Sequence, residues 1–89
     1  MKAIVTVLGK DRVGIMALVC TLLAKHNVNI LDISQTTLQE TFTMVMLVDA
    51  AACDIPFAQL AALLEQEGKG HDLTIRAQRE DIFDAMHRI

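Results

Sequence analysis

The sequence predicts an α+β domain in which four strands and two helices alternate in the order βαββαβ. Short runs of β-branched residues alternate with segments whose apolar residues recur every three or four positions. Glycine, asparagine or proline stands close to most of the boundaries between these segments. The 89 residues leave room for one hydrophobic core and therefore for one domain.

The first strand and helix are the clearest elements. Lys2 to Leu8 is a β-branched run without a helical period, bounded by Gly9, and it predicts a strand. Asp11 is the expected N-cap of the helix that follows, and Asn27 is expected to end that helix in a left-handed conformation. The spacing i, i+3, i+4, i+7, i+8 predicts the buried stripe of this helix: Ile15, Leu18, Val19, Leu22 and Leu23.

The second half repeats the pattern. Residues 28–39 and 42–48 predict two strands joined by a tight turn near Glu40. Asp54 and Pro56 mark the start of a second helix, which Gly68 and Gly70 are expected to close. Residues 71–78 predict a fourth strand, and residues 79–89 a short C-terminal helical extension of the same domain. The apolar face of the second helix consists of Phe57, Leu60, Ala61 and Leu64.

Two βαβ-like halves predict a ferredoxin-like sandwich with one four-stranded antiparallel sheet, two helices on one face and a short C-terminal helix. The third strand indicates what the other face carries. Met44 and Met46 point to one side of the sheet, while Val45 and Leu47 point to the other. Because both sides are apolar, the face without helices needs a cover, to which the terminal helix and a second subunit are expected to contribute. We therefore expect a homodimer.

Composition and charge narrow the function. A net charge of −3 without a basic cluster argues against nucleic acid and anionic membranes as partners. No apolar run approaches the roughly 18–20 residues that span a bilayer, and no leader segment is evident, so a cytoplasmic location is expected. The first loop lacks a Cys-x-x-Cys pair, and His26, His71 and His87 are scattered. We therefore expect no metal and no cofactor.

The loop after the first strand offers one origin for catalysis. Lys10, Asp11 and Arg12 could form a phosphate-handling group, with Asn29 orienting water. However, no nucleophile–base pair is recognisable, and the loop does not end as a Walker A motif does. The chain is therefore predicted not to be an enzyme, and a small phosphate-handling enzyme stays as the weakest alternative.

The same loop suits a small charged ligand better. Gly14 lets a ligand approach the first helical turn, whose free amide groups favour a carboxylate. Asp11 can accept a hydrogen bond from an α-ammonium group, and Asn29 can both donate and accept. An amino acid presents these groups side by side. In the alternative interpretation, Gly14 serves helix–sheet packing, Asp11 caps the helix and Asn29 pairs with backbone.

These residues resemble a known family. The segments Gly9-Lys10-Asp11-Arg12-Val13-Gly14-Ile15 and Leu22-Leu23-Ala24-Lys25-His26-Asn27-Val28-Asn29-Ile30 resemble the signature of ACT domains. The resemblance covers residues 1–78, and residues 79–89 resemble the ending of small stand-alone ACT-domain proteins. It implies a ferredoxin-like βαββαβ fold, paired domains and an amino acid bound at the pairing interface, through which metabolic enzymes or transcription are regulated.

The resemblance also implies which residues meet the ligand, some of them across a subunit boundary. This chain departs from the family at two positions. Val13 stands where many members have proline. Gly9 stands where serine-binding members have a polar side chain, so specificity for serine is not carried over. Regulatory output would pass through a partner protein or through oligomer state. A dimerisation module without a ligand is the alternative. The implied ligand-binding residues are Lys10, Asp11, Arg12, Val13, Gly14, Ile15, Asn29 and Ile30.

Overall fold

The computed structural model describes residues 1–10 and 13–81. They form six elements in the predicted order, which confirms the ferredoxin-like fold. Of the predicted C-terminal helix, residues 79–89, Arg79 belongs to the last strand instead, Glu80 and Asp81 have helical backbone, and the rest lies outside the described residues. The elements are β1 (Lys2–Lys10), α1 (Ile15–Lys25), β2 (Asn29–Leu38), β3 (Thr41–Asp49), α2 (Phe57–Gly70) and β4 (Leu73–Arg79).

The four strands form one sheet in the order β2-β3-β1-β4, and every neighbouring pair is antiparallel. β1 and β2 therefore run in the same direction, with α1 as the crossover between them. A bulge in β2 places Leu31 between two paired residues, Ile30 and Asp32. β2 and β4 are the two edges of the sheet.

The core lies between the helices and one face of the sheet. The central strands β1 and β3 supply seven of its fifteen described residues, because their alternate residues turn towards α1 and α2. No polar side chain is buried among the residues that the structure describes. The core residues are Ala3, Val5, Val7, Ile15, Val19, Leu23, Val28, Phe42, Met44, Met46, Val48, Leu60, Leu64, Leu73 and Ile75.

Each helix is followed by a residue in the left-handed conformation. Asn27 has a φ of 62°, which confirms the predicted left-handed residue. Its N–H donates to the carbonyl of Ala24 at 3.0 Å, and the N–H of Val28 donates to that of Leu23 at 2.9 Å. These two bonds form a Schellman motif. After α2 the left-handed residue is Asp72, with a φ of 57°.

Three predicted boundaries are wrong. Gly68 does not close α2 but lies buried inside it, since a methyl group there would come 2.7 Å from the carbonyl oxygen of Leu73. The fourth strand begins at Leu73 and not at His71, because His71 is the C-cap of α2. The N-cap of α1 is Gly14, and the predicted N-cap, Asp11, is not among the described residues.

The start of α2 that Asp54 and Pro56 mark is confirmed, since Pro56 is the N-cap and the helix begins at Phe57, but Asp54 itself does not cap it. The carboxylate of Asp54 instead lies 2.8 Å from Nδ1 of His26, and its N–H donates to the His26 carbonyl at 3.2 Å. Beside it, Nδ2 of Asn27 donates to the carbonyl of Ala52 at 3.1 Å. The loop before α2 is thus fastened to the turn after α1.

Candidate functional site

An open cleft of about 280 Å³ lies where α1 begins. This volume is close to the lower limit of about 300 Å³ for small-molecule pockets. It is lined by two parts of the chain, the start of α1 and the turn between α2 and β4. The lining residues are Val13, Gly14, Ile15, Leu18 and His71.

Gly14 shapes the entrance to the cleft through its backbone. Its φ of 94° is left-handed, and a Cβ added to it would meet no atom of the non-neighbouring residues that the structure describes within 4 Å. Because a side chain would have space here, glycine is required for the conformation and not for helix–sheet packing. The packing alternative for Gly14 is therefore wrong, and the open space in front of it is accessible to a ligand.

The start of α1 carries hydrogen-bond donors without helical acceptors. The first helical bond runs from the N–H of Leu18 to the carbonyl of Gly14 at 2.9 Å. The amides of residues 15–17 consequently lack a partner within the helix. Gly14 provides no side-chain cap, and the first turn contains no acidic residue. This end of the helix therefore favours an anionic group.

His71 is the residue that sequence reasoning did not assign to the site. It stands at the start of the predicted fourth strand, but in the structure it is the C-cap of α2 and lines the cleft. Antiparallel pairing of β4 with β1 brings Leu73 opposite Gly9, and this pairing carries the preceding His71 to the β1–α1 loop. The signal in the sequence is an internal repeat, because a histidine follows each helix at His26 and His71.

The remaining predicted site residues are distributed as follows. Lys10 ends β1 at the same end of the sheet as the cleft, and its side chain is exposed. Asp11 and Arg12 belong to the part of the chain that the structure does not describe. Gly9 leaves no space for a side chain, because a methyl group would lie 2.5 Å from Cδ2 of Leu73. Close packing on β4 thus explains the missing polar side chain at position 9.

Asn29 and Ile30 lie at the opposite end of the sheet. Asn29 pairs with Asp49, which in turn pairs with Lys2 at the start of β1. The cleft follows Lys10 at the other end of β1, about 27 Å away at the usual rise per residue. Asn29 is exposed and Ile30 is half-buried against the core. One chain therefore does not bring its Asn29 to its own cleft.

The described residues can also be compared with what a metal site and a membrane-spanning helix require. Within residues 1–10 and 13–81, His, Cys, Asp and Glu side chains form no group of three or more that could hold a metal ion. Of the helices in the same ranges, none combines the length and the apolar character that a bilayer crossing requires.

Comparison with known sequences identifies the family. The sequence profile of the ACT domain family matches residues 2–78. The chain belongs to the ACT domain family. ACT domains are regulatory ligand-binding modules, and the start of α1 that forms the cleft lies inside the matched region.

Individual relatives are similar over nearly the whole length of the chain. A UPF0237 protein of Bifidobacterium longum is 53% identical over 88 residues, which cover 99% of this chain and 98% of that protein. A UPF0237 protein of Pyrobaculum aerophilum is 51% identical over 87 residues, 98% of this chain and 97% of that protein. The solved ACT domain protein from Streptococcus pneumoniae is 42% identical, covers 98% of both chains and superposes with a TM-score of 0.83.

Proposed function

We propose that this ACT domain is a regulatory module that binds an amino acid, or a similar small carboxylate, at the boundary between two subunits. The carboxylate would be held by the free amides at the start of α1, beside Gly14. Asn29 of a second subunit would complete the site. The observation that carries the proposal is the open cleft at the start of a helix whose N-cap, Gly14, has no side chain, in a member of a ligand-binding family.

The chemistry of the cleft supports this class of ligand. Backbone amides favour a carboxylate, and the apolar lining from Ile15 and Leu18 suits the carbon skeleton next to it. His71 contributes a ring that can donate or accept a hydrogen bond. A carboxylate, a polar group and a short apolar portion together describe an amino acid better than an inorganic anion.

The edge strand β2 supports a site that is shared between subunits. β2 is ten residues long, forms an edge of the sheet and leaves Leu38 74% exposed. An exposed edge of this kind can pair with another strand. Antiparallel pairing of two β2 strands about a two-fold axis would bring Asn29 of one chain to the cleft end of the other. The separation of Asn29 from its own cleft is then expected.

Regulation would follow from a difference in affinity between two states of the assembly. A ligand held by groups from two chains binds the paired state more tightly, so it shifts the equilibrium towards pairing. The output would reach a metabolic enzyme or a regulator through contact with the paired form. The proposal assigns no catalytic step to the protein.

Thermal unfolding in the presence of each of the twenty amino acids, with simple carboxylates included, tests the proposal. A ligand present at about one hundred times its Kd stabilises the folded state by about 2.7 kcal/mol. For a domain of this size, about 4–8 °C per kcal/mol gives a rise in Tm of about 10–20 °C. If none of these compounds raises the Tm, the ligand-free dimerisation module becomes the better account.

Two variants and one control then locate the site. Gly14→Leu should block the cleft, and Asn29→Ala should remove the amide, so that each abolishes the rise in Tm. Gln35→Ala removes an exposed amide from the middle of the same strand as Asn29, and it should leave the rise unchanged. A full ligand response in Asn29→Ala would exclude that residue from the site.

A further inference from the structure

The sheet face opposite the helices has the composition of an interface. Its centre is apolar, formed by alternate residues of β1 and β3 that turn away from the helices. Its two rims, on β2 and β4, carry charged side chains, Asp32 on one side and Arg76 on the other, and the β2 rim also exposes Leu31 and Leu38. An apolar centre with a polar rim is the usual anatomy of a protein–protein interface. The central residues are Ile4, Thr6, Leu8, Thr43, Val45 and Leu47.

The pairing register of the sheet fixes which residues would meet if two copies stacked on this face. Consider a two-fold axis that lies between the two stacked faces, parallel to the strands and above the gap between β1 and β3. It places β1 of one copy over β3 of the other, and β4 of one copy over β2 of the other. Residues in the same row of the sheet then face each other. Ile4 of one copy lies opposite Leu47 of the other, because these two residues are paired in the register. Apolar side chains thus meet at the centre of the interface.

The charges on this face match under the same operation. Lys2 and Asp49 are paired in the register, so Lys2 of each copy faces Asp49 of the other. At the rims, Asp32 lies on β2 and Arg76 on β4, one row apart. Because β4 of one copy lies over β2 of the other, Arg76 of one copy comes next to Asp32 of the other. One row is about 6.7 Å along the strand, a distance that an arginine side chain spans. Each opposite-charge pair occurs twice.

The other in-plane two-fold axis gives the reverse result. An axis perpendicular to the strands stacks each strand on its own copy and reverses its direction. With the axis on the row of Thr6, it places Arg76 over Arg76 and Lys2 over Lys10. Like charges in such positions are unfavourable. The axis parallel to the strands keeps every residue in its own row and avoids this arrangement.

The face is also large enough. Four strands at about 4.8 Å give a width of about 19 Å, and seven paired rows give a length of about 23 Å. Two flat faces of this size amount to about 900 Å², and side chains that stand off the sheet increase the accessible area further. This reaches the range of about 1,000 Å² at which a specific interface is expected.

We propose that the open sheet face binds a second copy of this chain face to face, about a two-fold axis parallel to the strands, with reciprocal Asp32–Arg76 and Lys2–Asp49 contacts. This interface is distinct from the pairing of β2 edges proposed above. Its formation therefore does not depend on a bound ligand or on Asn29.

Charge reversal at the rim tests the proposal in the full-length chain. Asp32→Arg and Arg76→Glu each replace attraction by repulsion at two places, so each should raise the Kd of self-association about tenfold or more. A mixture of the two variants should restore association, because each rim contact between unlike chains again joins an arginine to a carboxylate. The double variant, which carries both changes, should also associate. Gln59→Arg adds an arginine at an exposed position of α2, on the other side of the sheet, and should behave like the wild type.

Native mass spectrometry of the mixture provides the decisive count. Unlike pairs should exceed the statistical half of all pairs. Arg76→Glu alone separates face stacking from pairing through β2 edges, because Arg76 lies on β4 at the opposite edge of the sheet and its change should weaken association only if the faces stack. Pairs at the statistical half, single variants that associate like the wild type, or a monomeric wild type would each overturn the proposal. In that case, residues 82–89 or a different partner would cover this sheet face instead of a second copy. If the single variants fail to fold, the double variant still tests the contact between positions 32 and 76, because it restores opposite charges there and should associate.

Discussion

Replacing Gly68 by alanine should destabilise the domain, although the same change stabilises most helices. Gly68 lies inside α2 with an ordinary helical φ, so helix propensity alone predicts a gain of about 1 kcal/mol. The added methyl group, however, would come 2.7 Å from the carbonyl oxygen of Leu73 and 2.9 Å from Cγ1 of Ile75. The oxygen belongs to the backbone of β4 and cannot rotate away.

Overpacking of a well-filled core costs about 1–3 kcal/mol, and a backbone contact favours the upper half of that range. After the gain in propensity, we expect the free energy of unfolding to fall by about 1–2 kcal/mol. The Tm should then fall by about 5–15 °C. Gly70→Ala is the matched control, because it lies two residues further along the same helix with no atom within 4 Å of the added carbon.

Thermal and urea unfolding of the two variants decide the matter. We expect Gly70→Ala to equal the wild type or to exceed it by up to about 1 kcal/mol. The reasoning would be refuted if Gly68→Ala were as stable as Gly70→Ala. That result would mean that α2 can move away from β4 without loss.

Three further predictions concern backbone conformation and charge. Gly14→Ala should lower the free energy of unfolding by about 1–2 kcal/mol, because the φ of 94° at this position is left-handed. Gly14→Asn should lower it less, because asparagine adopts this conformation more readily. Equal losses of stability in urea unfolding would contradict the left-handed conformation of residue 14. Asn27→Gly keeps the left-handed turn but loses the bond to Ala52, so it should cost about 1 kcal/mol, and Asn27→Ala about 2 kcal/mol. The N–H of Ala51 at 3.0 Å, followed by the N-terminal ammonium group at 3.2 Å, lowers the pKa of Asp49 below 3.8. The stabilisation by this carboxylate is therefore present above pH 3.8 and lost as the pH falls through the lowered pKa; Asp49→Asn should flatten that part of the acid unfolding curve, and an unchanged curve would contradict the shift.

Much of the fold could be predicted because local patterns determine it. β-branched runs and the apolar spacing of α1 indicated every element, and Asn27 indicated the end of the first helix. The start of α1 was misassigned because a glycine in the left-handed region can serve as N-cap without any side-chain bond. N-caps are usually recognised by a polar side chain such as that of Asp11. The sequence therefore does not reveal that Gly14 is the N-cap through its left-handed backbone.

Contacts between distant parts of the chain were beyond sequence reasoning. Asp54 resembles a helix cap, but folding brings it to His26, which lies 28 positions earlier in the chain. His71 reaches the cleft only because β4 pairs with β1. The separation of Asn29 from the loop likewise follows from the parallel direction of β1 and β2, which local patterns do not reveal.

A mixing experiment tests the central claim, a ligand site shared between two chains, most directly. Gly14→Leu and Asn29→Ala chains are combined in equal amounts, and the amino acid that stabilises the wild type is titrated calorimetrically. Half of the pairs formed should contain both variants, and each of these should hold one intact site, built from an unaltered Gly14 and an unaltered Asn29. We expect about a quarter of the wild-type number of sites in the mixture and none in either variant alone. No binding in the mixture, with both variants paired, would contradict the account.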